Sequence, residues 1–243
     1  MAIHDALTLE VQAQGERLLR RCDDLKKFLA LVRLSPDSKQ STRWESEARD
    51  ARALAVVCTM AELEAFTKFL IQETHRELND SGLTVSSLRA SLRQLAAHTT
   101  FESLRDLSDH SKLWERRKYA TTLELCRDPI DLPLERKHAQ PPLDGRTLRP
   151  EHFNRIWEIY GLSGEAFPVA AWSASLQKLA LFRNDVAHGN ISYMEVFQQA
   201  GRSVSDVERY VNDINEFVIY LATSWVDYLE AQDYLTFRIS TKN

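Results

Sequence analysis

At 243 residues and 44% hydrophobic content, the chain carries enough apolar mass for one large or two small domains. A formal charge of -4 excludes general electrostatic attraction to nucleic acid, so any RNA-binding surface has to be a local basic patch. Only seven glycines and seven prolines, among long stretches rich in Leu, Ala, Glu, Arg and Gln, argue against a turn-rich β fold and for an all-α chain.

The first helix is predicted from about Ile3 to Leu34, with Leu18, Cys22, Leu25, Leu29 and Val32 forming one apolar stripe at steps of three and four. Ser35-Pro36-Asp37-Ser38 ends it. Thr42 and Glu45 then make a Thr-x-x-Glu capping box for a second helix that reaches about Asn79. On that helix Leu54, Cys58, Ala61, Ala65 and Phe69 define one face, and Val57, Leu63, Phe66 and Leu70 widen it, so the helix is expected to be central. Asn79-Asp80-Ser81-Gly82 is its stop.

Shorter helices follow, at Ser87 to Ala97 and at Lys112 to Cys126. Residues 128–150 hold five of the seven prolines and few apolar side chains, which reads as an extended loop or insertion that contributes little to a core. The whole chain, 1–243, is expected to form a single helical domain with the 128–150 loop inserted in it. Helix returns at Glu151 to Tyr160, breaks at Gly161 to Gly164, and resumes at about Val169 to Ala187, with Gly189 as the stop. A short turn or helix is expected over Ile191 to Gln199. Ser205 and Glu208 then form a second capping box, opening a helix to about Leu235, roughly 45 Å long at 1.5 Å per residue. Its seam of Val204, Val207, Val211, Ile214, Val218, Leu221, Trp225 and Tyr228 is the best-patterned stretch of the chain.

Cys22, Cys58 and Cys126 are widely spaced, odd in number and embedded in apolar patterns, which is the usage of buried free thiols in a reducing compartment. No apolar run approaches the roughly 18 residues that span a bilayer, and Met1 to Ala6 lack a basic and hydrophobic leader pattern. A cytoplasmic protein without a membrane partner is the expectation.

The segment Arg183-Asn184-Asp185-Val186-Ala187-His188-Gly189 carries the chemistry. Bare Arg-x-x-x-x-His spacing is weak evidence, because Arg93 to His98 and Arg105 to His110 repeat it. The third copy differs in its asparagine, its Ala-His-Gly ending and the preceding run of Leu176, Leu179 and Phe182, which with Val186 follows a helical spacing. The stretch from Leu179 to Gly189 resembles the signature helix of HEPN domains, all-helical proteins whose active members are metal-independent ribonucleases, many of them toxins in prokaryotic defence systems.

RNA cleavage without a metal uses the ribose 2′-hydroxyl as nucleophile, so the protein has to move protons and stabilise charge on phosphorus. An imidazole near pH 6.5 does the first and a permanently charged guanidinium the second. His188 is therefore assigned proton transfer and Arg183 the phosphate. The two lie about 140° apart around a helix at 100° per residue, whereas Asn184 and His188, four apart, share a face. Asn184 is thus placed to orient the imidazole. A symmetric homodimer would bring two such pairs together across a cleft, as the resemblance also implies. It further implies a polar or acidic residue on the central helix that holds the arginine, for which Glu64 is preferred over Glu62.

Arg116, Arg117 and Lys118, flanked by Trp114 and Tyr119, are the candidate RNA-binding cluster. Arg136-Lys137-His138 and Arg146 to Arg149 add positive charge to the proline-rich loop. No metal-binding or nucleotide-binding motif is present: there is no His-Glu-x-x-His, no Cys-x-x-Cys, no glycine-rich phosphate loop and no Gly-x-Ser-x-Gly. The resulting expectation is a toxin-like endoribonuclease without cofactor, with transfer RNA among its candidate targets and an antitoxin protein as a candidate partner. The alternatives are a non-catalytic helical scaffold that binds a partner or nucleic acid, and a metal-dependent nuclease built on Glu62, Glu64 and Asp185.

Overall fold

The computed structural model describes residues 3–33, 41–103, 110–134, 142–188 and 203–236, the side chains of 3–4, 32–33, 41–49, 110–111 and 187–188 excepted. Eight α-helices lie in these residues: α1 (Ile3–Arg33), α2 (Ser41–Asp80), α3 (Ala90–Ala96), α4 (His98–Glu102), α5 (His110–Thr121), α6 (Pro150–Tyr160), α7 (Ala170–His188) and α8 (Val204–Glu230). Among the described residues β pairing is confined to two isolated bridges, Thr84 with Pro129 and Leu88 with Leu235. The chain is all-α.

Helices α1, α2, α7 and α8 pack on one another and enclose the main core, while α3 and α6 pack together and α6 also reaches α7. The α8 seam is buried as its spacing requires, from Val207 through Val211, Ile214, Val218 and Leu221 to Trp225 and Tyr228. Phe217 adds an aromatic contact at 4.8 Å to Phe153 of α6 and another at 4.9 Å to Phe167. Offset and edge-on ring pairs of this kind add to burial itself.

Both ends of α8 differ from the sequence expectation. The capping box sits two residues earlier: the Ser203 hydroxyl accepts from the Asp206 amide at 3.1 Å, and the Asp206 carboxylate accepts from the Ser203 amide at 3.2 Å. The helix ends at Glu230 rather than Leu235, because Gln232 takes φ 52° and turns Tyr234 back into the core. Arg89 and Tyr234 then share a backbone hydrogen bond of 2.8 Å.

On α2 the first of the expected stripes is turned outward. Leu54 is 51% exposed, Ala61 and Ala65 are exposed, and Cys58 and Phe69 are only half-buried. Leu63, Phe66 and Leu70, which were expected to widen that face, are buried, and Val56, Met60 and Leu78 complete the inward side. A helix with apolar and small residues around most of its circumference offers two stripes, and only its neighbours α1, α7 and α8 choose between them. The helix begins at Ser41, one residue before the expected Thr42 cap; the Thr42 and Glu45 side chains, the Ser35-to-Ser38 stop, Gly189 and the Ile191-to-Gln199 segment lie outside the described residues.

The proline-rich stretch contributes to the core after all. Ile130, Leu132 and Leu148 are buried in the main cluster. Asn79 fixes Leu132 by accepting from its amide at 2.8 Å and donating to its carbonyl at 3.0 Å. His75 donates from Nδ1 to the Pro133 carbonyl and accepts at Nε2 from the Tyr160 hydroxyl, both at 2.6 Å, which joins α2, the loop and α6 in one buried chain. All three cysteines are free, but only Cys22 is buried. Burial and the nearby charge of Glu62 push its thiol up to about 12.

Candidate active site

Helix α7 divides along its length. Trp172, Ser175, Leu176, Leu179, Ala180 and Phe182 are buried against the bundle. The Ser175 hydroxyl donates to Asp213 of α8, and the Trp172 indole donates to Glu216 at 3.0 Å, so the two helices are fastened by polar contacts beside their apolar ones. The next turn, Arg183, Asn184, Asp185 and Val186, is half-buried.

Arg183 and Asn184 open onto a cavity of about 540 Å³ whose other walls are the 144–149 segment and the first turns of α6. The Thr147 hydroxyl, nearly buried, donates to the Asn184 side-chain oxygen at 2.7 Å and ties the segment to the motif. The Asn184 amide nitrogen then faces no competing bond from Thr147, on the same helical face as position 188. Four arginines line the cavity, Arg146, Arg149, Arg155 and Arg183, together with Asp144, Glu151 and His152. Among the described residues none of the four is in an ion pair.

His152 is 3% exposed and its two ring nitrogens are assigned by their partners. Nδ1 accepts the Arg149 amide at 3.1 Å and Nε2 donates to Asp144 at 2.9 Å. Burial pulls the Asp144 carboxyl upward, but the His152 bond, the Arg146 amide at 3.0 Å and the nearby positive charge outweigh it and hold the group below its ordinary range. This braced pair escaped the sequence reading. Its members are eight residues apart in a loop and a helix start, and the only cue was the density of arginine between Arg146 and Arg155.

The remaining sequence candidates are dispersed. Glu64 does not line the cavity; its Oε1 is buried and has no hydrogen-bond partner among the described residues. Glu62 pairs with Arg21 of α1. Among the described residues no three His, Cys, Asp or Glu side chains converge as a metal site, so Glu62, Glu64 and Asp185 do not form one. Arg116 donates to the Ser103 carbonyl at 2.7 Å, whereas Arg117 and Lys118 are exposed on α5, as is Trp114 at 68%. His98 of the first look-alike pairs with Glu102 at 3.3 Å. The His188 side chain, Arg105, the His110 side chain and Arg136-Lys137-His138 lie outside the described residues.

The family model of RiboL-PSP-HEPN matches residues 16–225, a span that contains the cavity, the motif and most of the four-helix core. The chain belongs to the RiboL-PSP-HEPN family. Comparison with curated proteins and with solved structures finds no match. Membership of this HEPN family supports a nuclease function of the ribonuclease type, with RNA as the substrate class. Among the described residues no helix of this HEPN chain is long and apolar enough to cross a membrane.

Proposed function

We propose that this HEPN chain is a metal-independent, toxin-like endoribonuclease. Arg183 grips the scissile phosphate, and His188 moves the protons. The 2′-oxygen attacks phosphorus and loses its proton while the 5′-oxygen leaves and gains one, so the products carry a 2′,3′-cyclic phosphate and a 5′-hydroxyl. Asn184 orients His188 from one turn away. Two copies of the chain supply a composite site, because positions 183 and 188 diverge around their own helix.

The observation that carries this reading is the cavity itself: the motif arginine opens onto a recess lined by three further arginines, none in an ion pair among the described residues, in a protein of net charge -4. Such focusing gathers a polyanion where the chemistry occurs. A cytoplasmic setting, a transfer RNA target and a neutralising antitoxin protein belong to the same proposal.

Incubation of purified protein with total RNA in EDTA tests it. Cleavage that survives chelation and disappears in Arg183→Ala and His188→Ala is the expected result. Absence of cleavage by the unaltered protein, or cleavage abolished by EDTA, would sink it.

A further inference from the structure

The arginine of the motif is one of four around the cavity, and the other three come from chain that the motif does not include. Arg146 and Arg149 lie on the segment before α6, and Arg155 lies one turn into α6. The segment is fixed at three points, by Thr147 on Asn184, by Asp144 on His152, and by the Arg149 amide on the His152 ring. Arg155 also donates to the Pro142 carbonyl at 3.3 Å, which leaves its fork anchored at one nitrogen. This is a built wall rather than a scatter of surface charge.

The two carboxylates in the cavity, Asp144 and Glu151, offset its four arginines only in part. Asp144 is engaged by His152 and by the Arg146 amide, and Glu151 is exposed without an ion pair to any of the four arginines among the described residues. A guanidinium presents paired donors in a plane that matches two oxygens of a phosphate. A recess of about 540 Å³ lies within the range of roughly 300–1,000 Å³ typical of pockets that enclose a nucleotide-sized group. The α5 cluster lacks this enclosure, since Arg117 and Lys118 stand exposed on a helix face.

We propose that Arg146, Arg149 and Arg155 form a phosphate-binding subsite for the RNA strand next to the phosphate held by Arg183. The subsite deepens the ribonuclease reading and rests on it for the identity of the strand. It makes the proline-rich segment a substrate-holding wall, and it requires at least one phosphate beyond the one that is cut. The concavity favours a flexible single strand over the flatter surface of an acidic protein.

The test measures binding apart from cleavage. Full-length protein carrying His188→Ala is titrated into a fluorescein-labelled 12-nucleotide RNA at several salt concentrations, with and without Arg146→Gln plus Arg155→Gln. Both arginines are exposed, so the double variant is expected to keep the parent melting temperature, checked by circular dichroism. Affinity is expected to fall at least tenfold, and the slope of log K against log salt to flatten by about 1.4, at roughly 0.7 per contact on a single strand. Lys27→Gln, on an exposed residue of α1, is expected to change neither. Unchanged affinity and slope in the double variant would overturn the subsite even if the protein cleaves RNA. Loss of poly-glutamate binding with RNA binding intact would overturn it in favour of an acidic protein. The expected binding result in a protein that never cleaves would uphold the subsite while the catalytic reading fails.

Discussion

The Thr147 hydroxyl donates to the Asn184 carboxamide oxygen at 2.7 Å and so joins a loop of irregular backbone to the helix that carries the Arg-His motif. The bond sets the amide's rotamer and is one of three that hold the arginine-rich wall in place. Thr147→Val keeps the shape and removes the donor. Cleavage is expected to fall about tenfold, with a stability loss of only about 1 kcal/mol, the usual worth of one such bond. Thr147→Ser is expected to retain activity. Cleavage kinetics beside urea unfolding check this, and a Thr147→Val protein of full activity would show that the bond does not position the site.

A composite site makes a prediction about mixtures. Arg183→Ala and His188→Ala are each expected to lose at least a hundredfold in rate, in line with the usual contribution of a positioned acid or base. Co-refolded in equal amounts, they are expected to regain cleavage, because a mixed dimer holds one intact arginine and one intact histidine across the same cleft. If both residues act from one chain, the mixture stays inactive. The readout is the rate on a labelled RNA as the mixing ratio varies.

His75 sits at zero exposure between Pro133 and Tyr160, and burial lowers its pKa from 6.5 to about 4 against the opposing effect of the Pro133 bond. Between those values the unfolded chain binds the proton more tightly, so stability is full above about pH 6.5 and declines as the pH falls toward 4. The shift corresponds to about 3 kcal/mol. Urea midpoints are expected to drop between pH 7 and 4.5, and His75→Gln, though less stable at pH 7, is expected to flatten that drop. An equally steep decline in the variant would assign the effect to other groups.

Gly161 closes α6 with φ +63°, and an added Cβ would come within 1.5 Å of the Arg89 guanidinium that donates to the Tyr160 carbonyl. Gly161→Ala therefore strains the backbone and displaces the arginine. A loss of about 1–2 kcal/mol is expected, more than a permitted Gly-to-Ala change, which usually stabilises. Thermal melting measures it, and an unchanged midpoint would show that Arg89 yields without cost.

The parts of the fold that could be read in advance are those with one apolar stripe and no competing one. The α8 seam from Val207 to Tyr228 is of that kind, and so is the Gly161 break. The length of helix α2, its central place and the burial of Leu63, Phe66 and Leu70 follow from the sequence, but the outward turn of Leu54, Ala61 and Ala65 does not, because they offer a stripe as regular as Val56 and Met60. Ile130 and Leu132 follow no period, so their burial depends on tertiary anchors such as Asn79. In the site, Arg183 and Asn184 were legible because local sequence places both on one helical turn. Asp144 and His152 were not, since nothing but folding brings a loop carboxylate to the third residue of α6.

The division within α7 falls between Phe182, 3% exposed, and Arg183, half-buried at the cavity. Residues before that peptide bond are constrained by packing, whereas after it, among residues 183–186, only Val186 packs against the main core. On the proposed ribonuclease reading, a lineage could exchange the polar residues of the last turn and lose catalysis while its melting behaviour hardly changed. Fold retention among relatives is therefore a poor guide to which of them still cut, and the identity of the residues beyond Phe182 is the better one.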